Sequence, residues 1–268
     1  MRVAVASFVV AVAAGLGCAS YSVIDDATIA RLNEAHEGEL LYVKQSLYAG
    51  SFYDDDRYRL LHPRRFEELT YLQNAEGEPI TPPPANEIVP AGTRVRIERI
   101  EWPDGEAVFR RPLFTPRYTT WIFLRVARSS GSQVTMERNE RHVLLLPGGI
   151  ADEETFESWF QAALSSTDPN PWLLSLDDVQ RTAIMQKKPA KGMTYEALTA
   201  ALGFPDRISQ RQGDDGHTTE VGAWGTLRVT LKDGLVESWA EASSSPPLGA
   251  SPTPVDGAPL SSSADPSR

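Results

Sequence analysis

Lys191 to Arg207 read KGMTYEALTAALGFPDR, the most sharply punctuated helix signal in the chain. Thr194 stands where an N-cap belongs. Met193 before it and Leu198 after it have the spacing of a hydrophobic staple. Leu198, Ala201 and Leu202 share one helical face. Gly203 is placed as the left-handed stop, Phe204 can fold back on Leu198, and Pro205 blocks continuation. The period then changes. "DRISQRQ" and "HTTEVGAW" flank the turn "GDDG", "LRVTL" alternates, "KDG" is a hairpin turn, and "LVESW" returns. Residues 189–241 are therefore expected to form a helix followed by a three- or four-strand antiparallel meander.

Upstream, residues 151–188 read as a helical connector. In "PGGIADEETFESWFQAALSS" Asp152 is a natural cap, and Glu153 and Glu154 suit the positive helix start. Phe156, Trp159, Phe160, Ala163 and Leu164 make one face. "SLDDVQRTAIMQK" repeats the plan with Ser175 and Asp178 in capping-box spacing. Pro169 and Pro171 separate the two helices, and Pro189 stops the second.

Residues 39–150 change to β. "ELLYVKQSLYAG", "TTWIFLRVAR" and "RHVLLLP" are dense in β-branched, aromatic and large aliphatic residues. "TRVRIERIEW" alternates, with Val95, Ile97 and Arg99 on one side. Proline-rich "ITPPPANEIVPAG" cannot join a central strand and reads as a loop. Short strands with such breaks imply a small antiparallel barrel or sandwich. The whole chain is thus α+β. Before this domain, "DDATIARLNEAHEG" offers Asp25 or Asp26 as cap, Ile29 and Leu32 on one face, and Gly38 as stop. Residues 18–38 are expected to be a tether or short packing helix. After the meander, residues 242–268 are dominated by Ser, Pro, Ala and Gly, too poor in apolar side chains to offset ordering entropy, and are expected to be a disordered tail.

Two pieces carry family resemblances. "NEIVPAGTRVRIERIEWP" is similar to a recurring segment of bacterial src-homology-like barrels, in which a Pro-Ala-Gly-Thr turn introduces a basic, alternating strand. From about residue 175 to 240 the chain resembles the small outer-membrane lipoproteins of the SmpA/BamE type. Their plan is Gly-Met-Thr, a helix, Leu-Gly-x-Pro, then a meander with an Asp-Gly turn. Gly192, Met193, Thr194, Leu202, Gly203, Pro205, Trp224, Asp233 and Gly234 fall in those places. The resemblance implies an α+β module and an accessory role in envelope assembly. The family's aromatic and arginine surface motif has no clear counterpart here, and its module usually follows the lipidated cysteine closely.

The amino-terminal MRVAVASFVVAVAAGLGCAS has the plan of an export signal. Arg2 and the amino group give a positive region, and Val3 to Leu16 is apolar or small apart from Ser7. The run is too short for an ordinary spanning helix. Residues 1–17 are expected to be a signal peptide. Cys18 is the only cysteine, so no intramolecular disulfide can form. "GLGC" resembles a bacterial lipobox, although Gly15 stands where Leu is usual and Leu16 is one place late. The resemblance implies lipidation of Cys18. Ala19 in place of Asp implies an outer-membrane destination, facing the periplasm. The alternative is plain secretion.

The function classes are narrowed by charge and motif. A formal net charge of −10 repels phosphate backbones, so no nucleic-acid partner is expected. Asp54 to Asp56 lack the alternating oxygens, Gly and Glu of an EF-hand loop. Asp214, Asp215 and His217 read as a hairpin tip, and the four histidines, His36, His62, His142 and His217, show no zinc spacing. No Gly-x-Ser-x-Gly elbow, phosphate loop or dinucleotide fingerprint occurs. Tyr48, Phe52, Tyr53, Tyr58, Phe66 and Tyr71, interleaved with arginines, suit either a peptide or glycan groove or a β-domain core. No catalytic, cofactor-binding or metal residues are assigned, and no cofactor is expected. The expectation is a non-enzymatic binding or scaffold protein, with a lipid anchor in the membrane and an envelope protein as partner. The alternatives are an envelope hydrolase with a spatially assembled site in the β domain, and an inhibitor-like module.

Overall fold

The computed structural model describes residues 24–53, 55–130, 133–212 and 216–242. The leader 1–17, Cys18, Asp54, Asp214, Asp215 and the tail from residue 243 lie outside them.

Among the described residues, eight strands form one curled sheet. They are β1 (Leu40–Val43), β2 (Leu47–Phe52), β3 (Asp55–His62), β4 (Glu87–Val89), β5 (Arg94–Glu101), β6 (Thr119–Ser130), β7 (Gln133–Gly148) and β8 (Leu164–Ser165), in the order β4-β2-β3-β7-β6-β5-β1-β8. β6 and β7 carry the continuous runs Trp121–Leu124 and Val143–Leu146 because both of their faces are covered. Ile122, Leu124, Leu144 and Leu146 point into one core, which also takes Val89 from β4 and Leu164 from β8. A single cluster fed by both end strands is what a sheet curled on itself produces. Trp121, Phe123, Val143 and Leu145 point to the other face, under Phe66, Leu69 and Leu72 of the β3–β4 connection.

The helix α1 (Asp26–His36) and the helix α3 (Glu153–Ala163) close the first core. Asp25 caps α1 by accepting from Thr28 N at 3.0 Å, and Asp152 caps α3 by accepting from Thr155 N at 2.7 Å. Leu32, Phe156 and Phe160 are buried there, each contributing roughly 1.5–3 kcal/mol relative to an exposed side chain. Trp159, expected on the same face as Phe156, is instead exposed. Between β5 and β6 the chain makes an excursion that holds the short helix α2 (Gly105–Arg110).

The second core belongs to α4 (Asn170–Ser175), α5 (Asp178–Met185), α6 (Tyr195–Leu202) and an antiparallel sheet of β9 (Arg207–Gln212), β10 (Thr218–Trp224), β11 (Leu227–Lys232) and β12 (Leu235–Glu241) in the order β12-β11-β10-β9. Thr194 caps α6, its hydroxyl accepting from Ala197 N at 3.2 Å. Met193 and Leu198 are both fully buried, as a staple requires. Gly203 ends α6 at φ 86°, and its carbonyl accepts from Trp224 Nε1 at 2.8 Å. The Asp233-Gly234 turn has φ of 50° and 79°, the left-handed pair of a tight hairpin. Phe204 does not fold back. It lies outside the second core and is 55% exposed.

The α+β class is as expected, and several details differ. β3 and β7 pair in parallel, so the large sheet is mixed rather than antiparallel throughout. "ELLYVKQSLYAG" is two strands broken at residues 44–46. A register shift between Ile97 and Arg99 turns β5 over, so that Ile100 rather than Arg99 is buried. Arg99 instead lies over the Phe123 ring at 3.5 Å. Glu87–Val89 of the proline-rich loop is an edge strand, as proline permits at a sheet margin. "PNPWLLS" is the helix α4, since proline is tolerated in a first turn. The cap of α5 is Asp177, accepting from Gln180 N at 2.8 Å, not Ser175. The expected connector is divided, with α3 in the first core and α4 and α5 in the second.

Candidate functional site

The two cores meet at the break between β1 and β2. Ser46 is fully buried, and every polar group it has crosses that boundary. Its N–H donates to Ala200 O at 2.9 Å, and its hydroxyl donates to Ile184 O at 2.6 Å and accepts from Ala91 N at 3.0 Å. Its carbonyl accepts from Lys187 Nζ at 2.7 Å. Gln45 donates to Ala162 O at 3.0 Å and rests against Gly203, where an added Cβ would come within 2.0 Å of Oε1.

Lys187 sits just past the end of α5 with φ 54°. Its N–H donates to Ile184 O at 3.1 Å, and Lys188 N–H donates to Ala183 O at 2.9 Å. That pair of bonds is a Schellman motif, with lysine where glycine is usual. The side chain turns inward, and Nζ donates to Ala201 O at 3.1 Å as well as to Ser46. Burial pushes its pKa down to about 7, with Glu68 opposing the shift. Burial also pushes Glu68 up. His62, close by, is driven down to about 3 by burial. Its Nδ1 accepts from Arg64 N, so Nε2 carries the proton toward Tyr71 Oη at 2.9 Å. Arg64 pairs with Asp206, and Arg65 reaches Glu241 at 3.1 Å, tying the β3–β4 connection to the meander.

Above this joint lies an open groove of about 520 Å³. One wall is the strand β4 and the turn from Pro90 to Arg94, with Tyr42 and Val126. The other is α4 and α5, through Leu173, Leu174 and Met185. Gly92, at φ 83°, permits the close approach, since a Cβ there would strike Asn170 Oδ1 at 2.5 Å. Leu174 is 71% exposed and Met185 51% exposed, so the helix wall offers apolar surface. The polar residues on the rim are tied to neighbours. Arg181 pairs with Asp178, Glu87 with Arg59 at 3.1 Å, and Asp168 accepts from Asn170 N at 2.9 Å. β4 ends the sheet order, so its outer edge has no strand neighbour among the described residues. An apolar trough beside an open strand edge is suited to an extended peptide segment.

The other residues singled out by sequence are placed as follows. Asp55 accepts from Arg57 Nε at 2.8 Å and from Arg57 N at 3.0 Å, a local ion-paired turn. His217 meets Asp233 at 2.6 Å at the hairpin end. His36 lies between Glu39 and Glu157, and His142 is buried on the groove wall. Among the described residues no three His, Cys, Asp or Glu side chains come together as metal ligands. Phe52 and Phe66 are core, with Tyr48, Tyr53 and Tyr58 packed against them, so these aromatics belong to a β-domain core, and Tyr53 alone of them also borders a hollow of about 290 Å³ beside Asp55, Arg57 and Phe114. Burial pushes the Tyr53 and Tyr71 hydroxyls well above their ordinary range. Among the described residues no helix is long and apolar enough to cross a membrane.

Sequence reasoning did not single out Ser46, Lys187 or the groove. Ser46 had one local signal, the interruption "KQS" within an otherwise apolar strand run. No protein-family model, no curated protein and no solved structure matches the chain.

Proposed function

We propose that the chain is a bacterial envelope lipoprotein, anchored through Cys18 at the outer membrane and facing the periplasm, that acts as a non-enzymatic binding or scaffold protein. The observation that carries the binding role is the groove, with exposed Leu174 and Met185 opposite the open edge of β4. Its ligand is an extended segment of an envelope protein partner, laid along β4 with apolar side chains directed at α4 and α5. The lipobox-like "GLGC" supports the anchor. The likeness of the module near residues 175–240 to SmpA/BamE lipoproteins supports an accessory role in outer-membrane assembly.

Two experiments test this. A photo-crosslinking amino acid at Leu174 or Met185, in intact cells, is expected to give a discrete protein adduct that the same probe at exposed Phe204 does not give. Identical smears at all three positions would remove the groove as the site. Separately, wild type but not Cys18→Ala is expected to incorporate a palmitate analogue. Equal labelling of the two would end the lipoprotein proposal.

A further inference from the structure

The excursion between β5 and β6 exposes three large apolar side chains together: Phe109 at 86%, Leu113 at 59% and Phe114 at 66%. Large apolar residues at such exposure on one short loop are unusual. The loop is held from beneath. Arg111 is 4% exposed, and its guanidinium donates to Arg117 O at 2.6 Å and Thr119 O at 2.8 Å. It also pairs with Glu101 at 2.8 Å and stacks over the Trp121 ring at 4.1 Å. Arg117, also buried, donates to Val108 O. Two buried arginines thus fix the loop while three apolar side chains point out of it. The exposed charges of α2, Glu106 and Arg110, pair with each other at 3.1 Å, so the tip carries little net charge.

The same end of the molecule receives the amino-terminal segment. Gly38 N donates to Ile97 O at 2.9 Å, Ile100 N to the Glu37 carboxylate at 3.0 Å, and Trp102 Nε1 to Asn33 Oδ1 at 2.8 Å. Walking back along α1 is therefore walking forward along β5. The start of α1 lies beyond the end of β5, where the chain leads into residues 105–118. Ile24 is fixed in the first core at that end. Only residues 19–23 separate it from Cys18, a reach of at most about 20 Å when extended.

We propose that this tip is a lipid-facing contact, which inserts Phe109, Leu113 and Phe114 into the interfacial layer of the bilayer that holds Cys18. A protruding apolar point with self-neutralised charge, within one short tether of a lipidated residue, matches a lipid surface. The proposal deepens the lipoprotein assignment and rests on it for the identity of the bilayer. An anchor made of acyl chains alone would leave the fold free to tumble, whereas a second contact at a fixed place orients it.

The test uses the full chain purified from membranes and reconstituted in vesicles of phosphatidylethanolamine and phosphatidylglycerol, 3:1. Phe109→Cys carries an environment-sensitive fluorophore, and Phe204→Cys, on the other unit, is the control. Bilayer-embedded nitroxide lipids are expected to quench the probe at position 109 at least about threefold more than at 204. Adding Leu113→Ser and Phe114→Ser should abolish the difference, and thermal melts of these surface variants check that the fold is kept. Equal quenching at 109 and 204 overturns the proposal. So does a shift at 109 that needs no lipid and grows with protein concentration, since the tip would then join two copies of the chain. Lipidation is read independently, because a lipidated Cys18 cannot take the thiol probe. If Cys18 takes it while position 109 is still quenched by added vesicles, the tip contact stands and the lipoprotein assignment fails. If Cys18 is blocked and 109 is not quenched, the tip contact alone fails.

Discussion

Lys187 gives the sharpest handle on how the two units are joined. Its amine is buried against Ser46 O and Ala201 O, and its pKa is pushed down to about 7 from the ordinary 10.5. For a base whose folded pKa is depressed, the native state is neutral over a pH range where the unfolded chain still binds the proton. Stability must then rise with pH through that window, here from about 7 up to about 10.5, and be lost as pH falls back through 7. Each unit of pKa shift corresponds to about 1.4 kcal/mol, so raising pH from 7 to 9.5 should favour the native state by about 3 kcal/mol through this one group. Lys187→Met keeps a non-glycine residue at φ 54° and a similar volume, and removes the titration, the two donated bonds and the placement of Nζ over the Tyr48 ring at 5.0 Å. Urea unfolding at pH 7, 8.5 and 9.5 is the assay, comparing the two chains so that all other titrating groups cancel. The wild type should gain on the methionine variant by most of that 3 kcal/mol across the series. Parallel pH profiles would refute the argument, because they would mean that the amine stays solvated and charged.

Other substitutions probe separate parts of the structure. Gly203→Ala places a Cβ at φ 86° and ψ −169°, a region essentially reserved for glycine, and against Gln45, so a loss of about 1–3 kcal/mol from the backbone alone is expected in a thermal melt. Thr194→Ala should cost about 1 kcal/mol by leaving Ala197 N without its cap, with Thr194→Asp near neutral in the same denaturation assay. Phe156→Ala removes a fully buried ring from under α1, and urea titration should show a loss of about 3–5 kcal/mol.

The second unit was legible because its information is local. A cap at Thr194, a staple from Met193 to Leu198, a stop at Gly203 and a turn at Asp233-Gly234 each act within a few residues, and each is where its chemistry placed it. The first unit was legible only as strands. The bulge before Arg99 leaves the same residues in the same order and merely inserts one unpaired position, which no periodicity count resolves. The parallel pairing of β3 with β7 joins segments far apart in the chain, so neither carries a local mark of it. The joint was hidden for a different reason. Lysine just past a helix end ordinarily points to water and complements the helix dipole, and only tertiary packing turns Lys187 inward. Arginine is seldom fully buried unless paired, and Arg111 is buried because the Glu101 carboxylate and four backbone carbonyls surround its guanidinium. Among the candidate aromatics, burial in the second layer of the sheet decided between groove and core, and burial is not a sequence property.

The positions of the tip and the groove follow from the direction of β5. The tip leaves its carboxyl end, after Glu101, while the groove gathers around its amino end, at Thr93 and Arg94. Eight extended residues separate the two, about 24 Å at the usual rise. The second unit joins the first at the groove end as well, since Ala91 is part of the second core. A molecule resting on the tip would therefore hold its groove and its helix-and-meander unit away from the bilayer, where a protein segment in the aqueous space can reach them. Ser46 and Lys187 make that arrangement stiff. Their bonds are the buried part of a wider seam, in which Asn170 Nδ2 also donates to Gly92 O at 3.0 Å and Arg64 and Arg65 pair with Asp206 and Glu241. Loosening Ser46 and Lys187 would shift the groove walls against each other while the Arg64 and Arg65 pairs still held the meander, so the shape of the groove is the property most exposed to that joint.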